Sequence, residues 1–196
     1  MRLIPYDRLK AAPGKNGGGE TREIAAFPAG AAFDDFNWRL SIATIAEDGA
    51  LSAFPGINRT LVLLSGTGVA LRLDDGAEHL LQPGDLVTFA GERGVHSRLL
   101  DGAVQDLNIM LQRGRMTARV DRMTVHDTAR LELGEGGGAV VLRDGHAKLP
   151  NGTSLGRGDT ILCDPGERGN LTLMGKADLV VIRFCATDHA GAGAGG

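Results

Sequence analysis

Cysteine is nearly absent from this chain of 196 residues. Two thiols, Cys163 and Cys185, are too few for a disulfide framework. Both lie in apolar, strand-like runs, which predicts two buried thiols. Positive charge is not in excess either: 21 Lys and Arg stand against 24 Asp and Glu, for a formal net charge of -3. With a pI near 5.9 and no basic stripe, the chain lacks the electrostatic footprint of a nucleic-acid binder. Its apolar runs fall far short of the roughly 20 residues a membrane helix needs. The start, Met1-Arg2-Leu3-Ile4-Pro5-Tyr6-Asp7, has no signal-peptide core and carries an early acid. These absences predict a cytoplasmic protein with neither nucleic acid nor membrane as a partner.

Several chemical signatures are missing too. A catalytic metal site takes about three converging ligands, commonly His with carboxylates. The five histidines, His79, His96, His126, His146 and His189, form no His-x-His or His-x-x-x-His pair. Only His96 lies in a convincing strand, where it reads as a partly exposed or hydrogen-bonded side chain. No metal and no cofactor are expected. There is no Gly-x-Ser-x-Gly elbow. Gly14-Lys15-Asn16-Gly17-Gly18-Gly19 lacks the spacing and closing Lys-Ser/Thr of a phosphate loop, and it leads into a strand.

Glycine is abundant, with 30 residues, while aromatics make up only 4%. Many glycines mean many tight turns, and many turns mean short strands. A hydrophobic share of 42% places the chain among ordinary globular proteins. Strands are expected at Glu20 to Ala26, Trp38 to Ile45, Arg59 to Leu64, Val69 to Leu73, Leu86 to Phe89, Val95 to Leu100 and Val104 to Arg113. Asp74-Asp75-Gly76 is a hairpin turn. The only candidate helix is a short one, Tyr6 to Ala12. Further on, Ala139 to Arg143 reads as a strand ending in a turn at Asp144-Gly145. Thr160 to Cys163 and Leu179 to Phe184 read as buried strands. A Gly-Asp turn before an apolar strand occurs twice, at Gly84-Asp85 and at Gly158-Asp159. Two similar halves follow, and a boundary is expected near Arg115 to Asp121, where charge interrupts the apolar pattern. The Gly/Ala tail from 190 to 196 is expected to be disordered.

Polar side chains interrupt otherwise apolar strands. Arg39 and Ser41 share one strand face, Asp106 and Asn108 share another, and Arg59 begins a third strand. In a closed barrel one face of each strand points inward, so such residues line a pocket. They could equally face solvent or pair with one another, Arg39 with Asp106 for instance. Arginine suits a planar carboxylate, because its donor fork reaches both oxygens. Asparagine both donates and accepts, which suits an amide or imidazole.

Four of these segments also carry a family likeness. Lys15-Asn16-Gly17-Gly18-Gly19-Glu20-Thr21-Arg22-Glu23-Ile24, Phe36-Asn37-Trp38-Arg39-Leu40-Ser41-Ile42-Ala43 and Phe54-Pro55-Gly56-Ile57-Asn58-Arg59-Thr60 resemble motifs of the HutD/Ves family, in order. So does Asp106-Leu107-Asn108-Ile109-Met110 with Arg113-Gly114. Asn37 stands where that family more often has Asp. The likeness runs to about Arg115, and the second half follows it only in strand grammar.

The resemblance implies an all-β, double-stranded β-helix bicupin: two tandem cupin-like barrels, at 1–115 and 116–189, without the cupin metal histidines. It also implies an accessory or regulatory protein of histidine utilisation that binds a small carboxylate metabolite, urocanate or formylglutamate. The expected ligand-binding residues are Arg59 and then Arg39 as anchors. Asn108, Asn16 and Ser41 would supply hydrogen bonds, Trp38 an apolar wall, and Lys15 with its glycines a lid. The alternative is a metal-free cupin isomerase or hydrolase with Glu23 or Asp106 as general base. A third reading is an interaction protein, in which an exposed apolar patch between the barrels would make a homodimer.

Overall fold

The computed structural model describes residues 1–14, 19–31, 35–167 and 169–187. Lys15, Asn16 and the 190–196 tail, to which expectations were attached, lie outside the described residues. In chain order the strands are β1 (Arg2–Ile4), β2 (Ala11–Pro13), β3 (Gly19–Phe27), β4 (Trp38–Ile45), β5 (Gly49–Ala50), β6 (Ile57–Ser65), β7 (Val69–Leu73), β8 (Glu78–Leu81), β9 (Leu86–Ala90), β10 (Val95–Leu99) and β11 (Val104–Gln112). The second half adds β12 (Met116–Val125), β13 (Thr128–Glu132), β14 (Gly138–Lys148), β15 (Ser154–Leu155), β16 (Thr160–Cys163) and β17 (Asn170–Ala186). Among the described residues no helix is long and apolar enough to cross a membrane.

The expected helix at Tyr6 to Ala12 does not form. Only Tyr6–Arg8 coil, as a single 3-10 turn. Both flanks are drawn into sheets instead: β1 pairs with β16, and β2 with β3. A run this short cannot hold a helix against strand pairing on either side.

Three antiparallel sheets result. A six-stranded sheet runs β2-β3-β4-β11-β6-β9 and a four-stranded sheet runs β5-β10-β7-β8. The third sheet follows β1-β16-β14-β17-β12, with β13 on β17 and β15 on β14. Alternation along each strand sorts side chains to two faces, and the cores follow that sorting. Leu61, Leu63, Val87 and Phe89 from the six-stranded sheet meet Val69, Leu71, Leu73 and Val95 from the four-stranded one. The opposite face of the six-stranded sheet, with Trp38, Leu40, Ile42, Leu107 and Ile109, packs on Val141, Leu162, Val180, Ile182 and Phe184 of the third sheet. A separate core lies in the second half, around Leu131, Leu142, Leu155, Leu173 and Val181, with Leu3 of β1 packed against it.

The two Gly-Asp turns are built alike. Asp85 Oδ2 accepts the Gln82 N–H, and Asp159 Oδ2 accepts the Gly156 N–H. Gly84 N–H donates to Leu63 O, whose own N–H donates to Asp85 O. Gly158 N–H and Leu142 repeat that exchange with Asp159. Both glycines sit at positive φ, 94° and 83°, which a β-carbon disfavours.

Two further sequence expectations change. Asp144-Gly145 is no hairpin turn, because β14 continues through it to Lys148 with a bulge between Leu142 and Asp144. Glycine is needed there because a β-carbon would lie 2.3 Å from Lys176 O. Cys163 is buried, but Cys185 is exposed, one residue from the end of β17.

Candidate functional site

An open cleft of about 1010 Å³ lies over the inner face of the six-stranded sheet. The register of the central strands explains its floor. On β11, Met110 pairs with Arg39 of β4 on one side and Arg59 of β6 on the other. One pleat further along, Asn108 pairs with Ser41, which in turn pairs with Glu23 of β3. Asp106 follows, opposite Ala43. Alternate residues of neighbouring strands point to the same face, so these polar groups converge. The apolar core between the first two sheets begins where they end.

Arg59 is buried, only 6% exposed. Its Nε donates to Asn108 Oδ1 at 2.7 Å, and its Nη1 reaches Ser52 O at 3.4 Å. Phe54 and Phe89 flank the guanidinium, each with a ring centroid 5.6 Å away. Burial lowers the Arg59 pKa, and the nearby Asp106 charge partly offsets this. Among the described residues no carboxylate lies within ion-pair distance of Arg59, so its charge is buried without a direct counterion.

Asn108 links Arg59 to Asp106. Its Nδ2 donates to Asp106 Oδ2 at 2.6 Å. Asp106 is 1% exposed. Burial pushes its carboxyl up to about 6, against the pull of the Arg59 charge and the Asn108 hydrogen bond. Among the described residues, the buried Asp106 Oδ1 and Ser41 Oγ of two cleft-lining residues have no hydrogen-bond partner. Nearer the mouth, Arg39 Nε donates to Glu23 Oε2 at 2.7 Å. Arg39 is largely buried, while the Glu23 side chain is 52% exposed.

Of the residues expected from sequence, Arg59, Arg39, Asn108 and Ser41 all line this cleft. Arg39 pairs with Glu23, not with Asp106. Trp38 does not join them. Its immediate neighbour Arg39 faces the cleft, so Trp38 points to the opposite side. There it stacks on Phe184 of β17 at 4.5 Å and on Phe27 at 6.1 Å. It is a packing residue between sheets, and the alternation of its own strand already said so. Lys15 and Asn16 lie outside the described residues.

Sequence reasoning missed the aromatic pair that holds Arg59, and the Glu47 to Ser52 segment that borders the cleft. Phe54 could have been found, since it stands in the same short motif as Arg59. Part of that motif is structural: Arg113 binds Asn58 Oδ1 and both Glu92 oxygens, and its N–H donates to Gly56 O. Among the described residues no group of three His, Cys, Asp or Glu side chains could hold a metal ion. His96 is exposed on β10 and lines no part of the cleft.

The HutD family model matches residues 6–181. The chain belongs to the HutD family. Protein Ves of Citrobacter koseri is 42% identical over 136 residues, 69% of each chain. An uncharacterized 21.2 kDa protein in the hutC 3' region of Pseudomonas putida is 41% identical over 120 residues, 61% of each chain. The chain thus spans about two thirds of the length of these curated relatives. HutD from Pseudomonas fluorescens SBW25, solved in a formate condition, superposes with a TM-score of 0.80 at 30% identity, covering 95% of this chain and 98% of that one. A cupin 2 conserved barrel protein from Leptotrichia buccalis, at 13% identity and a TM-score of 0.62, shares the fold alone.

Proposed function

We propose that this HutD-family chain is an accessory or regulatory binding protein of histidine utilisation. It is a bicupin with barrels at 1–115 and 116–189, and its first barrel takes a small carboxylate metabolite such as urocanate or formylglutamate. The relative in the hutC 3' region of Pseudomonas putida links the family to that gene region. The bicupin reading is supported by the matching bonding of the two Gly-Asp turns and by the cupin-like neighbours.

One observation carries the binding reading: Arg59 is buried at the cleft floor with no direct counterion among the described residues. A buried charge is costly unless paired and hydrogen-bonded. A ligand carboxylate completes Arg59, whose fork has donors beyond the two that Asn108 and Ser52 occupy. Phe54, Phe89 and Asn108 hold the guanidinium in advance, which lowers the entropic cost of binding. Ser41 Oγ can donate to the same ligand.

The test is calorimetric titration of urocanate and formylglutamate into wild type and Arg59→Ala. Wild type should bind at least one. The variant should lose roughly 2–5 kcal/mol of affinity. No heat with either ligand, or an unchanged affinity in the variant, refutes the reading.

Asp106 favours a second reading, that of a metal-free isomerase or hydrolase. A buried carboxyl titrating near 6 is suited to general-base work at neutral pH. Following both metabolites by proton NMR with wild type and Asp106→Asn decides it. Turnover that the variant abolishes supports an enzyme, and unchanged spectra exclude one acting on these compounds.

A further inference from the structure

Asp106 lines the cavity, and its buried Oδ1 has no hydrogen-bond partner among the described residues. Its sister oxygen is held by Asn108 Nδ2 at 2.6 Å, so the carboxylate cannot turn away to satisfy itself elsewhere. Asn108 is itself fixed, because its Oδ1 receives Arg59 Nε. The chain Arg59–Asn108–Asp106 therefore presents an anion-binding fork at one end and a fixed acceptor at the other. An ionised carboxylate accepts hydrogen bonds and donates none.

Charge points the same way. Across the cleft lining, Lys10, Arg39 and Arg59 stand against Glu23, Glu47, Asp48 and Asp106. A ligand that is only an anion meets Arg59 favourably but meets Asp106 as a like charge. A ligand that also carries an N–H meets both.

We propose that the cleft selects carboxylates bearing an N–H donor, as in an imidazole or secondary amide, and that Asp106 is the residue that reads that donor. The inference rests on the carboxylate reading and adds to it a ligand class and a specificity residue. A site built to accept an N–H rejects an analogue lacking it, because the buried acceptor is then left unpaired. Arg59 supplies affinity common to all carboxylates, and Asp106 supplies the discrimination.

A matched pair of probes separates the two claims. Urocanate has a ring N–H, whereas 3-(2-furyl)acrylate keeps the acrylate carboxylate and a five-membered ring but has a ring oxygen instead. In calorimetric titrations at pH 7.5, wild type should bind urocanate roughly ten- to a hundredfold more tightly, the worth of a hydrogen bond to a charged group. Asp106→Asn should bring the two probes to within a few-fold of each other, and Arg59→Ala should weaken both. A second pair, formylglutamate and its N-methyl tertiary amide, should show the same preference. Equal affinity of wild type for both members of each pair overturns this inference while leaving the Arg59 anchor standing. So does a preference that survives in Asp106→Asn. Failure of wild type to bind any of the four probes overturns the anchor and this inference together. The wild-type comparison needs no variant, so the inference stays testable if Asp106→Asn does not fold.

Discussion

Asp106 makes a measurable demand on stability. Its carboxyl is raised from 3.8 to about 6 by burial. In the unfolded chain it returns to the ordinary value. Between those two values the native state therefore holds more proton than the unfolded state, and stability falls as pH rises through the window. The stabilising contribution is fully present below about 4 and is lost as pH passes about 6. A difference of about two units at 1.36 kcal/mol each amounts to about 3 kcal/mol. Asp106→Asn abolishes this titration while leaving Arg59, Arg39 and Glu23 in place. The assay is urea denaturation of both proteins from pH 4 to 8, each fitted to a two-state transition. The stability of wild type minus that of Asp106→Asn should rise by about 2–3 kcal/mol as pH falls from 7.5 to 4. Parallel curves, or a difference of the opposite sign, would refute the claim that burial dominates at Asp106.

Three further outcomes follow from the same geometry. Trp38→Ala should cost about 3–5 kcal/mol of stability, because it opens a hole between two sheets. Measured at a temperature where the variant is folded, its affinity for cleft ligands should stay within a few-fold of wild type. Gly158→Ala should lower the melting temperature more than Gly76→Ala. Both glycines have positive φ, but a β-carbon at 158 would lie 2.8 Å from the Tyr6 ring, while at 76 it meets nothing within 4 Å. Left-handed strain costs about 1–2 kcal/mol at each site, and overpacking adds about 1–3 kcal/mol at Gly158 alone. Arg39→Ala should weaken urocanate binding less than Arg59→Ala in the same titrations, since Arg39 has Glu23 as a close counterion at the cleft mouth.

Much of the first half was legible because its strands alternate cleanly. Trp38 to Ile45 and Val69 to Leu73 form strands with the ends their sequences suggest. The polar residues at Arg39, Ser41, Asp106 and Asn108 converge because period two carries them to one face. The same rule puts Trp38 on the other face, and treating it as a cleft wall overrode the pattern in favour of its motif. The counterions were not legible. Which carboxylate meets Arg39 depends on the register of β3 against β4, with its shift between Glu23 and Ala25. No local signal encodes that register. Asp144-Gly145 misleads for a related reason: a bulge and a turn both call for glycine, and only long-range pairing with β17 separates them. Tyr6 to Ala12 escaped because one flank, β1, pairs with β16 far along the chain, while the other, β2, folds back on β3.

A carboxylate seated on Arg59 would be visible in a crystal structure of the protein with formylglutamate bound. Density is expected in the cleft with a ligand carboxylate about 3 Å from the Arg59 guanidinium, close to Asn108 and Ser41. Ligand density elsewhere, such as on the outer face around Arg72 and Arg98, or a cleft that stays empty at saturating ligand, would contradict it.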